Sequence, residues 1–198
     1  MTDIDVVHVV FKTHLDVGFT DLAANVVRKY FDEFIPGALA LASRTRQSDS
    51  QQWFRWTTGS WLIYHALEHG SPQLKRTIEE GIASGALNWH ALPFTTHSEY
   101  FDASLFRFGL SLSTRLDQRF GRHTIAGKMT DVPGHTRGIV PLLAEAGIEW
   151  LHIGVNQAAS VPEVPSVFTW RDEASDTRVT MAYDPGYGGI VSVPGCRE

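Results

Sequence analysis

The chain has 198 residues, of which 43% are hydrophobic and 20% charged, as in an ordinary globular protein. The net charge is -5 and neither sign forms a long block, which argues against nucleic acid as a partner because phosphate binding needs a concentrated basic surface. The single cysteine, Cys196, excludes a disulfide within the chain. With no signal-like segment and no apolar run that could span a bilayer, we expect a cytoplasmic protein without a membrane contact.

The first element is an apolar run over residues 4–11, which predicts a buried strand. Side chains alternate between faces in an extended chain, so Lys12, His14 and Asp16 project the same way where this strand ends. Imidazole nitrogens and carboxylate oxygens are ordinary zinc ligands, and two of them on one strand end leave positions for others. The spacing therefore indicates half of a metal site, with a polar strand end beside a turn at Gly18 as the alternative.

The rest of the chain alternates predicted helices and strands. A capping signal at Thr20 or Asp21 predicts a first helix, which Pro36 and Gly37 should kink or end. Helical spacing and similar signals predict further helices over residues 60–69, 71–84, 103–120 and 137–146. Short apolar runs predict strands over residues 53–57, 87–94, 125–129 and 150–155, followed by further strands at 167–170 and 178–183.

This alternation with short connections is typical of a parallel α/β sheet or barrel. In such folds the reactive groups collect at the carboxyl ends of the strands. His14, Asp16, His97 and Asp131 all follow predicted strands, so we expect them to converge on one site.

Two segments resemble a known family. Residues 12–19, Lys-Thr-His-Leu-Asp-Val-Gly-Phe, resemble the His-x-His-x-Asp-x-Gly-Trp motif of family 38 glycoside hydrolases, the class II α-mannosidases. Residues 127–136 resemble the family's Gly-Trp-x-x-Asp-x-Phe-Gly-His-Ser segment. The resemblance implies a parallel (β/α) barrel-like sheet that is incomplete in this chain. Residues 1–198 would form the N-terminal part of the catalytic domain.

The resemblance also implies a site. His14, Asp16 and Asp131 would bind one zinc ion per chain, with the fourth protein ligand and the general acid lying downstream of the matched segments. Asp131 would also be the nucleophile of a retaining glycosidase that acts on α-mannosides or related glycosides. Phe19, His97 and His135 would contact the carbohydrate substrate, with a plain loop residue as the alternative for His97. The sequence leaves homo-oligomerisation open.

Several positions depart from the family pattern and put the sugar specificity in question. Lys12 replaces the first motif histidine, Lys128 replaces a tryptophan, and Val155 stands where the family has an arginine. Thr96 and His97 fall where it has acidic residues. Glu99, Asp102 and Asp184 are the nearby carboxylates that remain as nominees for the general acid.

Two alternatives to a glycosidase follow from the same residues. A metal-dependent carbohydrate deacetylase would also use His and Asp ligands, but it needs a second histidine pair on a helix near the site. His65 and His69 are four residues apart on a predicted helix, away from the strand ends. A carbohydrate-binding remnant would keep the metal ligands and lack the general acid.

Overall fold

The computed structural model describes residues 8–46, 52–132, 134–156 and 158–186. Within these residues the strands are β1 (Phe11–Lys12), β2 (Trp56–Gly59), β3 (Leu87–His90), β4 (Ala126–Asp131), β5 (Trp150–Val155), β6 (Val167–Asp172) and β7 (Thr177–Asp184). The helices are α1 (Ala23–Lys29), α2 (Ile35–Thr45), α3 (Ser60–His69), α4 (Pro72–Ala83), α5 (Ala103–Phe120) and α6 (Ile139–Glu145). A π-helical turn, Tyr30–Phe34, joins α1 to α2, and a 3-10 turn, Ser98–Tyr100, precedes α5.

The helices with clear capping signals agree with the sequence prediction. The hydroxyl of Ser71 accepts a hydrogen bond from the Leu74 amide at 3.1 Å and so caps α4. The carboxylate of Asp102 caps α5 in the same way at the Leu105 amide. Helix α5 ends at Gly121, whose φ of 64° is the left-handed conformation that glycine adopts without strain.

The prediction that Pro36 and Gly37 kink or end the first helix is correct only in part. The helical path continues through both residues as α2, and Pro36 occupies the first turn of that helix. A π-helical turn stands immediately before it, which is where a helix can absorb an irregular hydrogen-bond pattern next to a proline that lacks an N–H.

The predicted first strand is shorter than the sequence indicated. Residues 4–7 lie outside the described part of the chain, and residues 8–10 are exposed and not in a strand. Among the described residues β1 pairs only with β2, and its residues Phe11 and Lys12 are exposed and partly buried, so the expected burial on both faces is not found here. The apolar composition of residues 8–11 therefore does not indicate a buried strand in this protein.

The described strands form two sheets. Parallel strands β1, β2 and β3 form the first sheet, and the second has the order β4-β5-β7-β6. Strands β4, β5 and β7 are parallel, whereas the two predicted C-terminal strands, β6 and β7, pair as an antiparallel hairpin, a direction that the sequence analysis did not specify. A hydrogen bond of 2.9 Å from the Ala91 amide to the Ala126 carbonyl links the two sheets. The parallel α/β architecture is confirmed, but these strands do not close into a barrel.

Each sheet packs its outer face on helices. The first hydrophobic cluster joins β2 and β3 to α3 and α4 through residues such as Leu62, Ile78 and Leu87. The second joins β4, β5 and β7 to α5 and α6 through residues such as Met129 and Leu151. Because neighbouring side chains alternate, the opposite face of these strands carries polar residues. No helix in the described segments is both long and apolar enough to cross a membrane.

Candidate metal centre

The site lies at the carboxyl ends of β1 and β4. His14 and Asp16 belong to the segment that follows β1 directly. Asp131 is the last residue of β4, and its φ of 78° is a left-handed conformation that is uncommon outside glycine. Met129 of the same strand faces the hydrophobic core, and strict alternation would send Asp131 the same way. The change in backbone direction instead turns its carboxylate toward His14.

The three predicted ligands meet in space. His14 Nε2 lies 3.0 Å from Asp16 Oδ1 and 3.7 Å from Asp131 Oδ2. One ligand atom from each residue can be chosen so that all three lie within 4.8 Å of one another. Their side chains are 18%, 34% and 29% exposed, so the cluster is reachable from solvent without being fully hydrated.

This donor set fits a zinc ion. Zinc takes imidazole nitrogen and carboxylate oxygen at about 2.0–2.2 Å, so ligand atoms that share an ion must lie within roughly 4 Å of one another. The two distances from His14 Nε2 already satisfy this condition. Three protein ligands are also the number that a catalytic zinc site uses when one position remains for water or substrate.

Two further side chains hold the ligands in place. Thr95 Oγ1 lies 3.2 Å from His14 Nδ1, and a proton that Nδ1 donates in that hydrogen bond would leave the Nε2 lone pair for a metal ion shared with the carboxylates. Asn156 Nδ2 donates to Asp131 Oδ1 at 2.7 Å. The Asn156 side-chain oxygen accepts from the Ala158 amide at 2.8 Å, which fixes the amide orientation. Hydrogen bonds that orient the ligands in this way are typical of metal sites.

Asn156 was not among the residues predicted from the sequence. It follows β5 directly, just as Asp131 ends β4, and polar side chains at the carboxyl ends of neighbouring parallel strands are expected to meet. Val155, the neighbouring position at which the sequence departs from the family pattern, is buried in the second hydrophobic cluster. Strand-end position was therefore the signal that could have identified Asn156.

We expect Asn156→Ala to weaken zinc binding about 10- to 100-fold, the usual effect of removing a group that orients a metal ligand. The amide donates to Asp131 without being a ligand itself, so the three ligands remain. Competition with a chromogenic chelator would measure the affinity. Asn25→Ala is the matched control, because Asn25 makes the same amide-to-carboxylate bond to Asp21 on the surface of α1. Equal affinities in the wild type and both variants would contradict the assigned role.

The three predicted substrate contacts lie on loops around the strand ends. Phe19 is 86% exposed in the segment between Asp16 and α1. His97 is exposed and packs against the ring of Tyr100, with a centroid distance of 5.4 Å. His135 is partly buried, and its Nδ1 lies 3.3 Å from Ser98 Oγ. Contact of these residues with a sugar stays a prediction.

Ser98 joins the loop after β3 to the loop after β4. Its hydroxyl is buried, accepts from the Thr136 amide at 3.1 Å and contacts His135. Burial, and secondarily the charge of His97, lower the pKa of His135 to about 4, so its imidazole is neutral at neutral pH. His135 is therefore placed as a neutral hydrogen-bonding group between two loops.

The carboxylates nominated as general acids have different surroundings. Asp102 is occupied as the cap of α5, and hydrogen bonds from Leu105 and Ser104 hold its pKa below the ordinary value. Asp184 ends β7 beside Gly154. Glu99 extends toward the loop after β4, with Oε1 3.8 Å from the position that a Cβ on Gly134 would take. Of the three carboxylates, Glu99 is therefore the one that faces the loop after β4, which follows Asp131 directly.

The histidine pair that a deacetylase would need is part of an aromatic stack. His65 stacks on Trp61 with a centroid distance of 4.9 Å and also contacts Phe31. His69 lies at the end of α3 beside His65. Neither belongs to the group of potential metal ligands found in the described residues. These contacts indicate a packing role for the pair.

Comparisons with known proteins identify the fold. No protein-family model matches the sequence, and no curated protein matches it. An α-mannosidase structure from Enterococcus faecalis V583 superposes on 88% of this chain with a TM-score of 0.70 and 12% identity. A 4-α-glucanotransferase structure from Thermococcus litoralis covers 87% with a TM-score of 0.60 and 13% identity. The chain spans 19% and 26% of the lengths of those two solved chains, with which it shares a fold.

Proposed function

We propose that this chain forms part of a zinc-dependent retaining glycoside hydrolase that acts on α-mannosides or related glycosides. The observation that carries the proposal is the convergence of His14, Asp16 and Asp131 at the carboxyl ends of two strands. Solved structures with this fold include proteins that process glycosides, according to their names. The two motifs around these residues resemble those of family 38 glycoside hydrolases.

In this proposal His14, Asp16 and Asp131 hold the zinc ion. When bound, zinc would act as a Lewis acid that orients sugar hydroxyls next to the anomeric carbon. His14 contributes a neutral imidazole whose other nitrogen contacts Thr95, and Asp16 contributes a second anionic ligand. The two carboxylates together match the charge of a divalent zinc ion.

Asp131 would be the nucleophile. Its carboxylate forms a bond to the anomeric carbon as the bond from that carbon to the leaving oxygen breaks, and a general acid gives the leaving oxygen its proton. Water then cleaves the glycosyl ester and releases the sugar with retained configuration. The left-handed backbone at Asp131 and the hydrogen bond from Asn156 hold the carboxylate in one orientation before substrate arrives.

In a retaining enzyme the general acid is a second carboxyl group that lies about 5–5.5 Å from the nucleophile. We propose Glu99 from this chain, because it lies on the loop after β3 and faces the loop after β4. A carboxyl group from outside the described residues is the alternative, as the family resemblance implies. Rescue of Glu99→Gly by azide, with formation of a glycosyl azide, would identify Glu99; wild-type rates in that variant would assign the acid elsewhere.

Turnover of defined substrates tests the proposal. The purified chain with added zinc should release nitrophenol from an aryl α-mannoside, and it should release no acetate from an acetylated sugar. Acetate release alone would replace the glycosidase by the deacetylase. Mannoside binding without any turnover would instead favour a carbohydrate-binding remnant. No contact in the described residues favours either alternative over the glycosidase.

A further inference from the structure

The inner face of the strands carries an unusual basic cluster. His90 of β3, Lys128 of β4 and His152 of β5 alternate with core residues that face the helices, so they lie on the opposite, inner side. Lys12 of β1 reaches the same side, because its amine contacts Thr130, which shares a face of β4 with Lys128. The Lys12 amine contacts the hydroxyl of Thr130, and the Lys128 amine contacts His152 Nδ1. Four strands thus bring two amines and two imidazoles together, and the metal-site chemistry proposed above uses none of the four.

The two amines of this cluster have no carboxylate partner in the described residues. Their contacts are a hydroxyl and an imidazole. Burial, then the charge of Lys12, lower the pKa of Lys128 to about 7, while the charge of Asp184 acts in the opposite direction. Half-buried charges without a partner oppose folding, so their placement on one face calls for an explanation.

Beside the cluster lies an open cavity of about 580 Å³. Its lining includes Lys12, His90, Lys128 and His152, and it adds Thr57 and His123. The residues at its rim precede β1 and β4, so it opens at the amino ends of the strands, opposite the metal centre. Its volume is in the range of pockets that hold small molecules.

One polar atom in the cluster has no partner. His90 Nδ1 is buried and makes no hydrogen bond in the described structure. Burial, with the charges of Lys12 and Lys128, lowers the pKa of His90 to about 3, so its ring is neutral and can carry a proton on one nitrogen. Buried polar atoms are nearly always paired in proteins, and an unpaired one marks a place where a ligand or water belongs.

We propose that this cavity is a second binding site, separate from the metal centre, that takes a small molecule with an oxyanion group, foremost a phosphate monoester. Two amines supply the positive charge, and the imidazole and threonine groups supply hydrogen bonds. An oxyanion between Lys12 and Lys128 would relieve the repulsion between their charges. In the described residues, Asp184 raises the pKa of Lys128 but forms an ion pair with neither amine.

Calorimetric titration in a phosphate-free buffer tests the site with four probes: inorganic phosphate, glucose 6-phosphate, glucuronate and glucose. We expect phosphate and glucose 6-phosphate to bind at millimolar concentration or below, and glucose not to bind. Binding of glucuronate alone would uphold the oxyanion site with a carboxylate as the ligand. Absence of binding by all three anions, or glucose binding as tight as glucose 6-phosphate, would overturn the proposal.

Variants locate the binding. Lys128→Gln should weaken phosphate binding about tenfold or more, the effect of losing one close charge interaction. Lys29→Gln, an equal change of net charge on the exposed end of α1, should leave the affinity unchanged. Equal affinities of these two variants would contradict the site.

Two further variants separate the cavity from the metal centre and from misfolding. Asp131→Asn should still bind phosphate as the wild type does; a loss there would mean that the anion binds at the metal centre, and it would overturn the second site. Lys128→Gln should unfold at a temperature no lower than the wild type, because it removes a half-buried charge. His152→Gln removes the imidazole that contacts the Lys128 amine, and we expect it to weaken phosphate binding about as much as Lys128→Gln does.

Discussion

Replacement of Asp131 by asparagine should reduce hydrolysis of an aryl α-mannoside about 10⁴-fold or more, because the proposed nucleophile and one anionic metal ligand are lost together. Asparagine tolerates the left-handed backbone that this position requires, so the fold should survive. Steady-state kinetics with added zinc would measure the loss, and circular dichroism would show that the variant folds.

Asp176→Asn is the matched control for this change. Asp176 also has a left-handed backbone, with φ of 54°, but it lies in the turn between β6 and β7. That turn precedes the amino end of β7, whereas Asp131 ends β4, so the two aspartates lie at opposite edges of the same sheet. We expect activity within about twofold of the wild type for this control. Retention of full activity by Asp131→Asn would exclude Asp131 as the nucleophile.

Zinc should stabilise the folded chain by a large amount. A ligand present at a hundred times its dissociation constant stabilises the native state by about 2.7 kcal/mol. For a chain of this size that free energy raises the melting temperature by about 5–10 °C. Thermal unfolding of metal-free protein with increasing zinc would show the shift, and a chelator should reverse it.

The shift should depend on His14. The His14→Ala variant lacks the ligand that lies within 3.7 Å of both carboxylates, and we expect zinc to leave its melting temperature nearly unchanged. His69→Ala removes an exposed histidine at the end of α3 and should respond to zinc as the wild type does. An equal response in the two variants would mean that zinc stabilises the chain from another place.

Local sequence signals predicted the helices better than the strands. Ser71 and Asp102 cap helices because their short side chains reach the free amides of the first turn, and this interaction is entirely local. Strand burial depends on pairing across the chain, which composition does not reveal. The apolar run before Phe11 therefore suggested an interior strand, while among the described residues β1 pairs only with β2.

The ligand group followed from position in the fold. His14 and Asp16 follow β1, and Asp131 ends β4, so their shared position at the carboxyl ends of strands indicated that they converge, while the family resemblance identified them as ligands. The left-handed turn at Asp131 could not be read from the sequence, because it reverses the direction that simple alternation predicts. The contacts from Thr95 and Asn156 also depend on the final geometry of three loops.

The substitutions at Lys12 and Lys128 gain a different significance from the structure. In the sequence they are departures from a family pattern at two separate motifs. In the fold they lie on the same inner face, and both line the cavity with His90 and His152. The spacing of residues within either motif could not predict that these two lysines lie close together in the fold.

Elemental analysis of metal in the purified protein, with the wild type beside Asp131→Ala, tests most directly whether His14, Asp16 and Asp131 form a zinc site. Both proteins should be loaded with zinc and then freed of excess metal by gel filtration. We predict about one zinc ion per chain in the wild type, the stoichiometry of a single site, and a sharp loss in the variant. Background metal in both proteins, or equal zinc in both, would contradict the site.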